Sequence, residues 1–179
     1  MTRQANPRAQ PAPKTLTELM GQALTMEREA VARYNELADM MQTHNNPEVA
    51  ELFRKMAGYE QIHVNQILAD MGWADDVVVP RHGGFWSTPE SPEVVPIEEM
   101  HYLMHPWHAL QLALAAEQRA EAFFAELAGT ATSEAVRQAA EEMRQEEAEH
   151  VALVREWLGK VPQPDANWAD DPDPPRYMD

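Results

Sequence analysis

Glu60-Gln61-Ile62-His63 and Glu147-Ala148-Glu149-His150 are two copies of one step, a glutamate followed three residues later by a histidine. On a helix, residues three apart share a face with Cβ atoms about 5–6 Å apart, so each step presents a carboxylate beside an imidazole. Each has a glutamate far upstream in a matching context, Glu27 in EREAVARY and Glu117 in EQRAEAFF. Four helices that turn these residues inward would surround two metal ions with four carboxylates and two imidazoles.

The apolar periodicity does turn them inward. Steps of three and four mark the buried face of a bundle helix. The first such seam reads Leu16, Met20, Ala23, Glu27, Ala30, Tyr34, Leu37, Met41, and the second Val49, Phe53, Met56, Glu60, His63, Ile67, Met71. The third reads Leu110, Ala113, Glu117, Ala120, Phe124, Leu127, and the fourth Val136, Ala140, Met143, Glu147, His150, Val154, Trp157. All six candidate ligands sit on these seams, with apolar residues a turn away on either side.

Punctuation sets the boundaries. Residues 1–14 are polar and proline-bearing and read as a flexible arm. Thr15-x-x-Glu18 is a capping box that opens a helix to about Gln42, and Asn46-Pro47 opens a second that ends near Gly72. Residues 73–105 hold Pro80, Gly83-Gly84, Pro89 and Pro92 and read as a connector, with a short helical turn from Pro96. A third helix is expected from Pro106 to Gly129, and a fourth, capped by Ser133, to Gly159. The bundle therefore occupies residues 15–159, and the acidic, proline-rich tail 160–179 is expected to lie extended or along its surface.

Residues 27–72 and 117–159 align as an internal repeat. Glu36-Leu37-Ala38 recurs as Glu126-Leu127-Ala128, and Met56, Glu60, His63 and Gly72 recur as Met143, Glu147, His150 and Gly159. The length difference between the copies falls in or beside the inter-helix turn, where it is tolerated. A second helix about 38 Å long is easily retraced by a connector of this length. The fold class is thus all-α: an antiparallel four-helix bundle of two repeated helix pairs joined by a long crossover.

Bare carboxylates in such a core would each cost several kcal/mol or take up protons. Two divalent cations balance four carboxylates, and oxygen and imidazole ligation without sulfur suits iron or manganese, with zinc also admissible. The chain has no cysteine, which excludes disulfides, iron–sulfur clusters and thiolate-bound metal. A net charge of −16 argues against nucleic acid as a partner. With no signal-like apolar stretch at the start and no apolar run long enough to span a bilayer, a cytoplasmic protein without a membrane partner is expected.

In its Glu27-x-x-Ala30-x-x-x-Tyr34 step, its paired Glu-x-x-His steps and its repeat, the chain over residues 16–159 resembles the ferritin-like superfamily, nearest its rubrerythrin and bacterioferritin branches. The resemblance implies a di-iron centre in which Glu60 and Glu147 bridge, His63 and His150 each bind one ion, and Glu27 and Glu117 are terminal. It implies ferroxidase or peroxidase chemistry with dioxygen or hydrogen peroxide, in iron handling or oxidant defence. The same ligand set also serves oxygenases that hydroxylate an organic substrate, and a metal-binding bundle without turnover is the further alternative. Tyr34, on the same face as Glu27, reads either as a core aromatic or, as the resemblance implies, as a hydrogen-bond donor to a metal ligand.

Departures from the relatives narrow the reading. Rubrerythrins carry a further glutamate on the third helix where this chain has Ala120, with Glu121 one residue on. The cysteine-bound electron-transfer domain is missing, so electrons must come from an external donor. Met56 is the sole nearby candidate for a haem ligand and lies on the inward seam, so no haem is expected. The long connector and tail differ from compact cage subunits, which favours a homodimer over a cage. His101, His105 and His108 would share the face of one continuous helix, as a metal transit site needs, but Pro106 interrupts it, and exposed surface histidines are the plainer reading. Trp73, Phe85, Trp86, Trp107 and Trp168 are expected to pin the connector and tail to the bundle.

Overall fold

The first helix, α1, spans Leu16–Thr43 and is capped by Thr15, whose hydroxyl accepts the Glu18 amide at 3.2 Å. The Glu18 carboxylate does not return to Thr15 as a capping box requires. It accepts the Lys14 amide at 2.7 Å instead. This is a computed structural model, which describes residues 12–79, 86 and 88–173. Phe85, most of the N-terminal arm and the end of the tail lie outside the described residues.

Asn45, at φ 58°, turns the chain into α2, Pro47–Met71. Asn46 accepts the Val49 amide at 3.3 Å, and its own amide donates to the Tyr102 and Met104 carbonyls at 3.2 and 2.7 Å. The cap of α2 thereby also anchors the end of the connector. Gly72 closes α2 at φ 64°, a left-handed conformation that glycine adopts without a Cβ clash. A single 3-10 turn, Ile97–Glu99, follows Pro96. Helix α3 runs Pro106–Thr130 and α4 runs Glu134–Leu158. Ser133 precedes α4, but its side chain makes no capping bond; Arg137 braces this corner instead, through Glu134 and the Ala131 carbonyl.

Helix α1 packs on α2 and α3 on α4, each pair antiparallel. Two apolar layers result. One gathers Tyr34, Leu37, Met41, Val49, Phe53, Met56, Ala109, Leu110 and Val154. The other gathers Leu19, Leu24, Met26, Ile67, Leu68, Phe124, Val136 and Met143. Phe53 and Phe124 are fully buried, one in each layer, and truncating either to alanine costs about 3–5 kcal/mol. Along every helix the candidate ligands fall between the stretch given to one layer and the stretch given to the other. The polar stratum is thus sandwiched mid-bundle. The order of layers also shows that α2 and α3 run parallel, which is why the chain needs a long crossover rather than a tight turn.

The crossover is clamped across the bundle. Arg28 of α1 donates to the Asp75 and Val77 carbonyls at 2.9 and 2.7 Å, and Trp73 and Trp86 pack on the second layer, Trp86 edge-on to Phe123. Trp168, from the tail, packs against the first layer and lies 3.9 Å from the His108 ring, and Tyr102 bonds Asp171. The described part of the tail therefore lies along the bundle surface. Trp107 makes an edge contact with His108 and belongs to neither layer.

Candidate metal centre

Each helix delivers its residues because their neighbours a turn away are core. Glu27 and Glu60 are 1% exposed, and Glu117 and Glu147 are 0% exposed. His63 and His150 close one side of the cluster, partly exposed, with their Nε2 atoms 2.9 Å apart. The Nδ1 atoms point inward. His63 Nδ1 lies 3.7 Å from Glu27 Oε1, and His150 Nδ1 lies 3.3 Å from Glu117 Oε2 and 3.4 Å from Glu147 Oε2. Each histidine thus faces the lone glutamate of its own helix pair.

The donor atoms form overlapping triads, each with its members within 4.8 Å of one another: Glu60, His63 and His150; Glu117, Glu147 and His150; Glu27, Glu60 and Glu93. All six residues expected from the sequence come together, and Glu93 joins them. It lies in the connector, in Ser91-Pro92-Glu93-Val94-Val95-Pro96, where the absence of helical periodicity hides it. The available signal was a glutamate set against a Val-Val pair, and Val95 and Glu93 are both fully buried.

The electrostatics describe a site short of positive charge. Buried atoms without a hydrogen-bond partner include one oxygen each of Glu27, Glu60 and Glu117, both oxygens of Glu147 and of Glu93, and His63 Nδ1. Burial, then the charge of Glu93 and its neighbours, drives Glu27 well above the ordinary carboxylate range; burial, then Glu117, does the same to Glu60. Burial lifts Glu147 to about 7 against the pull of its hydrogen bond to His150. Burial lowers His150, but its bonds to Glu117 and Glu147 outweigh that and hold it up at about 10. His63 is drawn down to about 4 by burial and by His150. The facing pair therefore consists of an imidazolium that donates and a neutral ring that accepts. Protons held by the raised carboxyls and by His150 stand in where a metal cation would fit: these atoms are oxygen and nitrogen donors of the kind metal ions take.

Tyr34 is 1% exposed, stacks on Phe53 with centroids 6.0 Å apart, and its hydroxyl has no partner. The expected hydrogen bond to a ligand is not formed. The phenol is nevertheless close to the charge, since burial and then Glu117, Glu60 and Glu93 push it well above its ordinary value. His101, His105 and His108 do not share a helix face, because α3 begins at Pro106. His101 Nδ1 accepts the Leu103 amide, His108 Nδ1 accepts the His105 amide, and the rings of His101 and His108 flank Trp168. These histidines structure the connector's end. Met56 lies in the first apolar layer, 3% exposed.

No helix among the described residues is long and apolar enough to cross a membrane. No curated protein matches the chain. A solved structure of an uncharacterized conserved protein from Magnetospirillum magnetotacticum MS-1 is 34% identical, with a TM-score of 0.63 over 84% of this chain and 98% of that one. Residues 18–94 match the rubrerythrin family and residues 107–176 a ferritin-like domain family, so that one match covers α1 and α2 and the other α3 and α4. Both helix pairs therefore lead to one lineage, and the chain belongs to the ferritin-like superfamily as a rubrerythrin-related member.

Proposed function

We propose that this protein is a di-iron oxidoreductase that binds ferrous iron through Glu27, Glu60, His63, Glu117, Glu147 and His150 and reacts with dioxygen or hydrogen peroxide. The observation that carries this reading is the set of unpartnered inward donors. Four carboxylates and two Nδ1 atoms converge between the two apolar layers, and one oxygen each of Glu27, Glu60 and Glu117, both of Glu147 and the Nδ1 of His63 have no hydrogen-bond partner. Membership of a family whose members are often oxidoreductases supports it.

A pair of iron ions bound there would supply two-electron redox chemistry toward dioxygen or peroxide. The protein's own contribution is to hold and move charge. Glu27 and Glu60 from one helix pair and Glu117 and Glu147 from the other would hold the ions with their carboxylates, beside His63 and His150. His150 must give up its Nδ1 proton and Glu147 its carboxyl proton on loading, so uptake near neutral pH releases protons. The apolar layers above and below keep water from the carboxylates. The unpartnered Tyr34 hydroxyl, whose raised value keeps it protonated, is available as a hydrogen-bond donor on the Glu60 and Glu117 side. Without cysteine, the chain depends on a separate electron donor.

The test is to load anaerobic apoprotein with ferrous iron and follow stopped-flow spectra on mixing with dioxygen and, separately, with peroxide. About two irons per chain and a fast oxidation with at least one oxidant are expected. Folded protein that takes up no iron defeats the reading. Slow reaction with both oxidants moves the assignment to substrate hydroxylation or to metal binding alone.

A further inference from the structure

Glu93 reaches the centre from the connector. It is 0% exposed, and neither carboxylate oxygen has a hydrogen-bond partner. One of these oxygens lies within 4.8 Å of donor oxygens of both Glu27 and Glu60. The backbone on either side of it is held by both helix pairs. Arg119 of α3 donates to the Pro92 and Val94 carbonyls at 2.7 and 3.1 Å, and Arg33 of α1 donates to the Val95 carbonyl at 2.5 Å. Glu29 of α1 accepts the Ser91 amide at 3.3 Å. Both arginines are thus engaged with main-chain oxygens, and no guanidinium reaches the Glu93 carboxylate. A buried carboxylate set in place this firmly, with no cationic partner, is destabilising when ionised unless a cation comes to it.

We propose that Glu93 is a seventh ligand, binding the metal ion that Glu27 and Glu60 hold, so that loading of that ion and docking of segment 88–96 are one event. The inference rests on the dimetal reading above and adds a consequence to it. Four carboxylates neutralise two divalent ions, whereas the fifth leaves an excess negative charge. That added negative charge favours the more highly charged states of the ions, so Glu93 would bias the pair toward its oxidised state. The connector also becomes a metal-responsive strap. With the ion bound, Glu93 ties the strap to α1 and α2 from inside, while Arg33 and Arg119 tie it from outside.

The experiment uses cobalt(II), which reports ligand number through its visible absorption, and amide hydrogen exchange of the connector. Wild-type protein should bind two cobalt ions, and loading should slow exchange at Ser91 and Val94 by about tenfold or more. E93Q, which keeps the side chain's shape, should weaken one of the two ions by about tenfold or more, intensify its visible band through loss of a ligand, and abolish the added protection. If E93Q binds both ions with wild-type affinity and spectrum, the inference is overturned while the dimetal reading stands. Wild-type protein that binds no cobalt overturns both. Should E93Q not fold, the wild-type exchange measurement decides alone: a connector indifferent to cobalt refutes the strap.

Discussion

Replacing Glu147 by glutamine should make the metal-free protein more stable than wild type and the metal-loaded protein less stable. Glu147 is 0% exposed, and its pKa stands at about 7 against an ordinary 4.5. Relative to a neutral side chain of the same shape, ionising this group at pH 8 destabilises the fold by about 3 kcal/mol, and at pH 5.5 by about 1 kcal/mol. In chelator at pH 8, E147Q should therefore unfold at a higher urea concentration than wild type, with the gap narrowing toward pH 5.5. His150 keeps Glu117 Oε2 as a partner 3.3 Å away, so the substitution does not strand the imidazolium. With manganese(II) at about 1,000 times its dissociation constant, wild type gains about 4.1 kcal/mol by mass action, more than the advantage of E147Q in chelator. E147Q, deprived of a carboxylate ligand, should gain far less and fall below wild type. Urea titrations followed by circular dichroism, with and without metal at both pH values, give all four terms. A variant less stable than wild type in chelator at pH 8 would refute the idea that this carboxylate is buried in wait for a cation.

The metal-free protein itself should be more stable at pH 5.5 than at pH 8, as thermal melts in chelator would show. Glu147, raised to about 7, adds stability that is complete below its unfolded value and lost as the pH rises through 7, and Glu27, Glu60 and Glu93 are shifted the same way. His150, raised to about 10, has the same sign, whereas His63, lowered to about 4, opposes it and loses stability as the pH falls. Tyr34→Phe removes a buried hydroxyl that has no partner, so metal-free Y34F should melt at or above wild type, within about 1 kcal/mol of it; a loss of 2 kcal/mol or more would reveal a hydrogen bond not seen here. Arg119→Ala removes the two bonds to the Pro92 and Val94 carbonyls and should weaken connector docking by about 1–2 kcal/mol. Limited proteolysis should then cut within segment 88–96 faster, with helix content unchanged; an unchanged cleavage rate would show that the clamp contributes nothing.

Helix content and the six inward residues were readable from the chain because both depend on local periodicity. A glutamate at seam spacing, with apolar neighbours three and four residues away, has to be buried if its helix packs at all. The helix starts were nearly as legible, since Thr15, Asn46 and Pro47 act over three or four residues. The caps differed in detail: Glu18 accepts the Lys14 main-chain amide rather than that of Thr15, and Ser133 makes no capping bond while Arg137 braces that corner through Glu134 and the Ala131 carbonyl. Pro106 correctly told against a shared helix face for His101, His105 and His108, but their packing with the tail was not legible, because Trp168 and Asp171 engage that corner from far along the chain.

Glu93 belongs to the other kind of information. The chain specifies its neighbours and its charge, but a connector has no period from which to read a facing direction. Its burial follows from Arg33 on one helix pair and Arg119 on the other gripping the carbonyls around it, contacts between residues far apart in sequence. The helices by themselves determine a centre of four carboxylates and two imidazoles, because helical geometry repeats. Only the closed tertiary structure decides that a fifth carboxylate enters, because that requires three separate segments to meet around one short strap.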